Sequence, residues 1–167
     1  RVRVRKTLPG DVVLAQVERS RRGELTCHID ELQIPSPQRT PPRCRHFGRR
    51  EIPGEGCGGC ALQMLSYDDQ VAFKERTVRR LLAGQGLDAE ALVRPILGMD
   101  QPWYYRNKME FSFGDNPDNP FTLGMHPLGY HHDVLDLKEC FLMSELCSDF
   151  LPRIAQWCRD EGYRADI

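Results

Sequence analysis

Short apolar runs interleaved with charged residues dominate the first part of the chain, the pattern of strands with one buried face. Val2 and Val4 alternate with arginine, and Leu8-Pro9-Gly10-Asp11 carries turn residues. Val12 to Val17 predicts a second strand. Ser20-Arg21-Arg22-Gly23 predicts a hairpin tip, and Leu25 to Leu32 the returning strand. Short strands, basic side chains and glycine turns predict a piece of a small OB-like barrel, a fold that binds nucleic acid through basic grooves. A solvated charged face on an ordinary sheet is the alternative. Residues 35–43 contain four prolines and predict an extended linker, followed by a cysteine-bearing loop over 44–65.

From Ser66 the period changes. Ser66 reads as an N-cap, and Asp68 and Asp69 favour the positive end of a helix that runs to about Ala83 and stops at Gly84 and Gly86. Val71, Val78, Leu81 and Leu82 are its expected buried stripe. Lys74, Arg76, Arg79 and Arg80 lie elsewhere on it, either solvated or touching phosphate. Met109, Phe111 and Phe113 alternate with Lys108, Glu110 and Ser112, predicting a half-buried strand. Strands over Phe121 to His126 and Gly129 to Leu137 complete an antiparallel meander. Leu146, Phe150, Ile154 and Trp157 then keep helical spacing, with Pro152 predicting a break or a late start. The fold class is α+β.

Composition narrows the function. With 167 residues, 40% apolar and 28% charged, the chain has enough material for a packed core. No stretch approaches the ~20 apolar residues of a membrane-spanning helix, and no secretory leader opens the chain, so a cytoplasmic protein is expected. The near-neutral total hides an asymmetry. Residues 1–50 carry 12 Lys and Arg against 5 Asp and Glu, and the remainder carries 11 against 19. A basic end on an acidic body predicts an anionic partner, with nucleic acid the first candidate. The chain opens on Arg1 within a strand-like run and ends just after a helical pattern, so both ends are expected to be cuts from a longer protein.

Seven cysteines argue against a disulfide framework. Cys57-Gly-Gly-Cys60 is the distinctive piece. Two thiolates three positions apart can wrap one metal centre, with the glycines allowing positive φ and pointing N–H groups at sulfur. A tetrahedral thiolate site needs two further ligands. Cys44 lies just upstream, and Cys140 follows a strand-like run. A redox CxxC is the rival reading, but its flanks do not resemble a strand opening into a helix. Zinc and iron–sulfur remain open on thiolate count, with His46 and His28 as candidate zinc ligands. Cys27, Cys147 and Cys158 read as buried hydrophobes.

Several segments then occur in a telling order: Cys44-Arg-His-Phe-Gly48, Cys57-Gly-Gly-Cys-Ala-Leu-Gln63, Tyr67-Asp-Asp-Gln70 with Lys74, Tyr105-Arg-Asn-Lys108 with Glu110-Phe-Ser-Phe-Gly114, Leu123-Gly-Met-His126, and Glu139-Cys140. Together they resemble the N-terminal portion of the RNA uracil-5-methyltransferase family, over about residues 8–150. The resemblance implies a truncated TRAM domain, an OB-like RNA-binding module, over residues 1–38. A linker and cluster loop over 39–65 and a central α+β domain over 66–167 would follow. It also implies that a 4Fe–4S cluster is held by Cys44, Cys57, Cys60 and Cys140, which favours iron–sulfur over zinc. Twelve residues separate Cys44 from Cys57, more than the family's usual spacing, and an insertion at roughly Arg49 to Glu55 is expected to bulge out without moving its ends.

The family's S-adenosylmethionine-binding Rossmann-like domain, nucleophilic cysteine and general base have no counterpart in these residues. No cysteine here is therefore assigned as catalytic, and the fragment alone is expected to be inactive. The resemblance implies uracil methylation by addition of a thiolate at carbon 6, attack of carbon 5 on the methyl sulfonium, and loss of the carbon-5 proton. This portion is expected to grip ribosomal or transfer RNA through Arg19, Arg21, Arg22, Lys74, Arg106 and Lys108, with Tyr104, Tyr105 or His126 as stacking candidates. A monomer is expected. The rival from another class is a non-catalytic RNA-binding module stabilised by a zinc or iron–sulfur site with four cysteine ligands. A radical enzyme is excluded by the cysteine spacing.

Overall fold

A computed structural model describes residues 1–48, 56–116 and 119–165. Among these residues, two three-stranded sheets and three helices follow one another along the chain. In the first sheet, β1 (Val2–Val4) runs parallel to β3 (Glu24–Ile34), and β3 pairs antiparallel with β2 (Val12–Arg21). The β2–β3 hairpin turns at Arg22 and Gly23, both at positive φ. Its register shifts at three places, which bends a long ribbon. Both strands extend beyond their expected ends because the alternation continues through polar positions that face solvent.

Asp11 joins this sheet to the segment that follows. Its carboxylate accepts the N–H groups of Leu8 and Ser36 and pairs with the Arg39 guanidinium at 2.5 Å. Its side chain is 1% exposed, so those bonds are made away from water. The proline-rich segment is consequently docked rather than free. Thr40 donates to the Met64 carbonyl, Arg39 bridges to Leu65, and Ser36 is buried. Leu8, Met64 and Leu65 form a small core with Phe47 and Leu62 against it.

α1 (Tyr67–Ala83) starts where expected, because the Ser66 hydroxyl accepts the Asp69 N–H and Gly84 ends the helix. Its expected buried stripe is not buried. Val78 is 47% exposed and Leu81 63% exposed, and no residue of α1 is fully covered. Among the described residues the only helix or strand making more than slight contact with α1 is the short α2 (Ala89–Leu92). Polar bonds do the remaining docking: Arg79 reaches the carbonyls of Ala89 and Val93, Glu75 accepts the Ile96 N–H, and the Tyr67 hydroxyl accepts the Met99 N–H. These bonds occupy Arg79 and lay the 93–99 segment along the helix.

The second sheet is the antiparallel meander β4 (Ser112–Asn116), β5 (Asn119–Met125) and β6 (Leu135–Asp136). Its strands are shorter than expected. Met109 and Phe111 pack on the core before β4 begins, whereas Phe113 is half exposed against Phe121. The third strand is only two residues long, and residues 126–128, between it and β5, pair with Gly56, Cys57 and Gly58 of the cysteine loop. α3 (Glu145–Asp160) is continuous through Pro152, against the expected break. Capping by Ser144 and burial of Leu151, Ala155 and Cys158 against Phe121, Leu123 and Leu142 outweigh the one hydrogen bond that proline removes. Cys27 and Cys158 are buried as expected, and Cys147 is half-buried. No described helix is long and apolar enough to cross a membrane.

The Arg39 guanidinium holds the Asp11 carboxyl at about 2, below its ordinary 3.8, with help from the two N–H donors. A depressed carboxyl stabilises the fold above its ordinary value, and that contribution is lost as pH falls towards 2. Denaturation measured between pH 5 and pH 2 should show stability falling by up to about 2 kcal/mol from this group, and Asp11→Asn should flatten that part of the slope. Arg39→Ala should cost about 3 kcal/mol at neutral pH, because it leaves a buried carboxylate unpaired.

Candidate metal centre and its neighbouring groove

Four thiols separated along the chain line one cavity: Cys44, Cys57, Cys60 and Cys140. The rest of its wall is mainly apolar, with Phe47, Met109, Met125, Leu137 and Leu142, and His46, Gln63 and Glu139 at its polar side. Three of the cysteines are positioned through their backbone N–H groups. The Cys44 N–H donates to Gln63 Oε1 at 3.1 Å, the Cys57 N–H to the His46 carbonyl at 2.8 Å, and the Cys140 N–H to the Ser148 hydroxyl at 2.9 Å. Gln63 also hydrogen-bonds the Cys60 thiol, so one amide side chain spans two of the four cysteines.

Two further contacts fix the loop against the second sheet. Gly58 donates to the His126 carbonyl at 3.0 Å, and Leu128 donates to the Gly56 carbonyl at 3.2 Å. On the other side the Arg45 N–H and its guanidinium hold Glu139, and the Lys138 N–H donates to His46 Nε2 at 3.0 Å. The segments carrying Cys44 and Cys140 are thereby clamped together. The expected insertion at Arg49 to Glu55 lies outside the described residues. Its flanks meet, because the Gly56 N–H donates to the Gly48 carbonyl.

The two glycines between the paired cysteines work differently from expectation. Neither Gly58 nor Gly59 has positive φ. Gly58 is needed for close approach, since a Cβ there would stand 3.0 Å from the His126 carbonyl oxygen. The Gly59 N–H does point at the Cys57 sulfur, at 3.4 Å.

Burial pushes the Cys44 thiol up to about 11, and burial also raises the thiols of Cys57 and Cys60. Mutual repulsion among the sulfurs acts in the same direction. Without a positive centre among them, these thiols are therefore protonated at neutral pH. His46 lines the cavity with its Nε2 accepting the Lys138 N–H, whereas His28 pairs with Glu18 at 3.1 Å in the first sheet and does not line the cavity. Among the described residues, no three His, Cys, Asp or Glu are grouped to hold a single metal ion. What the described residues present at this cavity is an all-sulfur donor set within a mainly apolar wall.

The basic residues divide into separate surfaces. Arg19, Arg21 and Arg22 line a depression on the first sheet together with Arg3 and Arg5. Glu24 pairs with Arg3 there, and Glu18 with Arg5. Lys74 and Arg106 line a groove beside the cysteines. Lys108 joins neither surface, and pairs with Glu110 at 2.7 Å, both side chains being well exposed. Tyr105 lines the groove and is 45% exposed, whereas Tyr104 leans on Phe141. His126 is tied by Ser112 and the Asp133 carbonyl, which occupies both ring nitrogens. Sequence reasoning missed Gln63, Ser148 and Arg43. Their partners are 19, 8 and up to 98 positions away, and no local pattern links them.

No family model matches the chain. Curated relatives do. A protein named as an uncharacterized RNA methyltransferase in Porphyromonas gingivalis is 33% identical over 93% of this chain and 36% of its own length. A 23S rRNA (uracil(747)-C(5))-methyltransferase of Pyrococcus furiosus is 32% identical over 93% of this chain and 33% of its own length. The crystal structure of Pyrococcus abyssi tRNA (uracil-54, C5)-methyltransferase in complex with S-adenosyl-L-homocysteine matches with a TM-score of 0.65. That match is 22% identical and covers 96% of this chain and 33% of that one, a likeness of fold. The chain spans about a third of the length of the curated relatives it matches.

Ser148→Ala should leave the Cys140 N–H without its partner and cost about 1 kcal/mol, read as a lowered thermal midpoint. Gly58→Ala should cost at least as much, because the loop has to move off the His126 carbonyl.

Proposed function

We propose, for a chain similar to RNA methyltransferases along nearly its whole length, that it is the RNA-gripping and cluster-bearing portion of an S-adenosylmethionine-dependent uridine-C5 methyltransferase acting on ribosomal or transfer RNA. The observation that carries this reading is the convergence of Cys44, Cys57, Cys60 and Cys140 on one cavity. The family resemblance implies that same set, and the relatives' names supply the chemistry. S-adenosylmethionine would be held by a part of the parent protein outside these residues.

Cys44, Cys57, Cys60 and Cys140 would hold a 4Fe–4S cluster. When bound, the cluster supplies positive iron centres that keep the four sulfurs as thiolates and cross-link Cys140 to the Cys44–Cys60 loop. A cross-link closing so long a stretch of chain acts as a staple. The preference for iron–sulfur over a zinc ion on the same four sulfurs comes from the family resemblance, and the iron and sulfide content decides between them. The first sheet would serve as a truncated TRAM module, with Arg19, Arg21 and Arg22 tracking phosphate from the depression they share. Lys74 and Arg106 would add contacts from the groove.

The activity is tested on the intact protein, purified anaerobically and given S-adenosylmethionine and ribosomal or transfer RNA transcripts. Nucleoside chromatography should reveal 5-methyluridine, and its absence from every transcript would defeat the enzymatic reading. The cluster is tested by iron and sulfide content together with visible absorbance. Cys57→Ser should lose the absorbance and lower the melting temperature by several degrees, since the staple is lost. Unchanged absorbance and melting temperature would remove Cys57 from the ligand set.

A further inference from the structure

A groove opens where α1, the 99–106 segment, residues 59–65 and residues 40–43 meet. We propose that it is a binding site for single-stranded RNA lying directly against the cysteine centre. This deepens the reading above and rests on it.

The groove's charge is one-sided. Arg43, Lys74 and Arg106 line it, and among the described residues no Asp or Glu does. None of the three makes an ion pair with a described residue. Lys74 has neither hydrogen bond nor ion pair among the described residues, and Arg106 donates one guanidinium N–H to the Met109 sulfur. Arg43 stacks over the Phe141 ring at 4.3 Å and over Trp103 at 5.2 Å, a setting that fixes its guanidinium without cancelling its charge. In a chain of net charge −1, three such cations at one groove form a local anion trap.

The groove also offers a flat apolar surface and amide groups. Tyr105 is 45% exposed along it. The residue before it, Tyr104, sits at φ 57°, a conformation unfavourable for a bulky side chain. That turn is held by bonds from the Tyr104 N–H to the Phe141 carbonyl and from the Arg106 N–H to the Leu142 carbonyl. It separates the two tyrosines, one against Phe141 and the other in the groove. Gln70 presents a further amide, although its Nε2 already donates to the Leu65 carbonyl. Cations with an exposed ring are the combination that holds unstacked bases, whereas a duplex presents phosphate alone and hides its base faces.

The groove and the cysteine cavity share a wall. Gly59, Cys60, Gln63 and Leu142 line both. Gln63 is the positioning residue at that wall, bound to Cys44 and Cys60 on one side and facing the groove on the other. RNA seated in the groove therefore contacts the segment that carries the sulfurs.

The test is fluorescence anisotropy of the intact, cluster-loaded protein with a labelled oligouridylate of about twelve nucleotides, against a duplex RNA of the same length. The single strand should bind more tightly. Tyr105→Ala should weaken it about fivefold or more, while Lys74→Gln should weaken it and reduce the slope of log affinity against log salt by about 0.7. Visible absorbance should be unchanged in both variants, which separates lost contacts from a lost cluster. Arg153→Gln, on α3 and lining neither the groove nor the basic depression, serves as a comparison and should leave the affinity for the single strand unchanged. Equal affinities for wild type, Lys74→Gln and Tyr105→Ala would overturn the proposal, as would preference for the duplex. Methylation of transcripts reads the enzymatic assignment separately, so the groove can fail while that assignment stands, and the reverse.

Discussion

Bringing four thiols into one apolar cavity is the constraint that organises this molecule. The sulfurs come from a short loop and from a residue 80 positions beyond Cys60, and burial by itself drives the loop's thiols to the neutral form. The protein meets the geometric part of that constraint with backbone bonds. Gln63, His46 and Ser148 each fix one cysteine's N–H, and Arg45 with Glu139 joins the two cysteine-bearing segments. The chain beyond β5 pairs with the loop through Cys57–Pro127 and the bonds on either side of it.

The same economy appears in how the remaining parts are attached. The first sheet reaches the cysteine loop through Leu8 on Met64 and Leu65, and through the buried Asp11–Arg39 pair. α1 is held through Glu75, Arg79 and Tyr67, with its apolar residues left exposed. Polar bonds specify where α1 lies without needing a continuous apolar interface, and they leave its Lys74 side free to border the groove.

Features determined by neighbouring residues were legible in the sequence. Ser66, Asp69 and Gly84 mark α1 because capping is local chemistry. The Cys57–Cys60 pair marks a thiol site because its spacing and glycines are contiguous. Features assembled from distant segments were not legible. Nothing near Val78 or Leu81 reveals that they stay uncovered, and nothing near Pro152 reveals the burial that carries α3 through it. The groove draws on four separate segments, so its one-sided charge emerges only when they meet. Lys108 shows the converse, because its partner Glu110 is two positions away and its surface pairing could have been weighed from the sequence.

The bond from the Gly56 N–H to the Gly48 carbonyl has a bearing on how this chain tolerates change. It closes a neck, and the Cys57–His46 bond closes a second one just beyond it, on the sulfur side. Positions 48 and 56 are thereby held together whatever chain joins them, and the entropy of closing a longer connection grows only slowly with its length. Residues could be added or exchanged at that point, or an affinity handle grafted there, with the placement of Cys44 and Cys57 left as it stands.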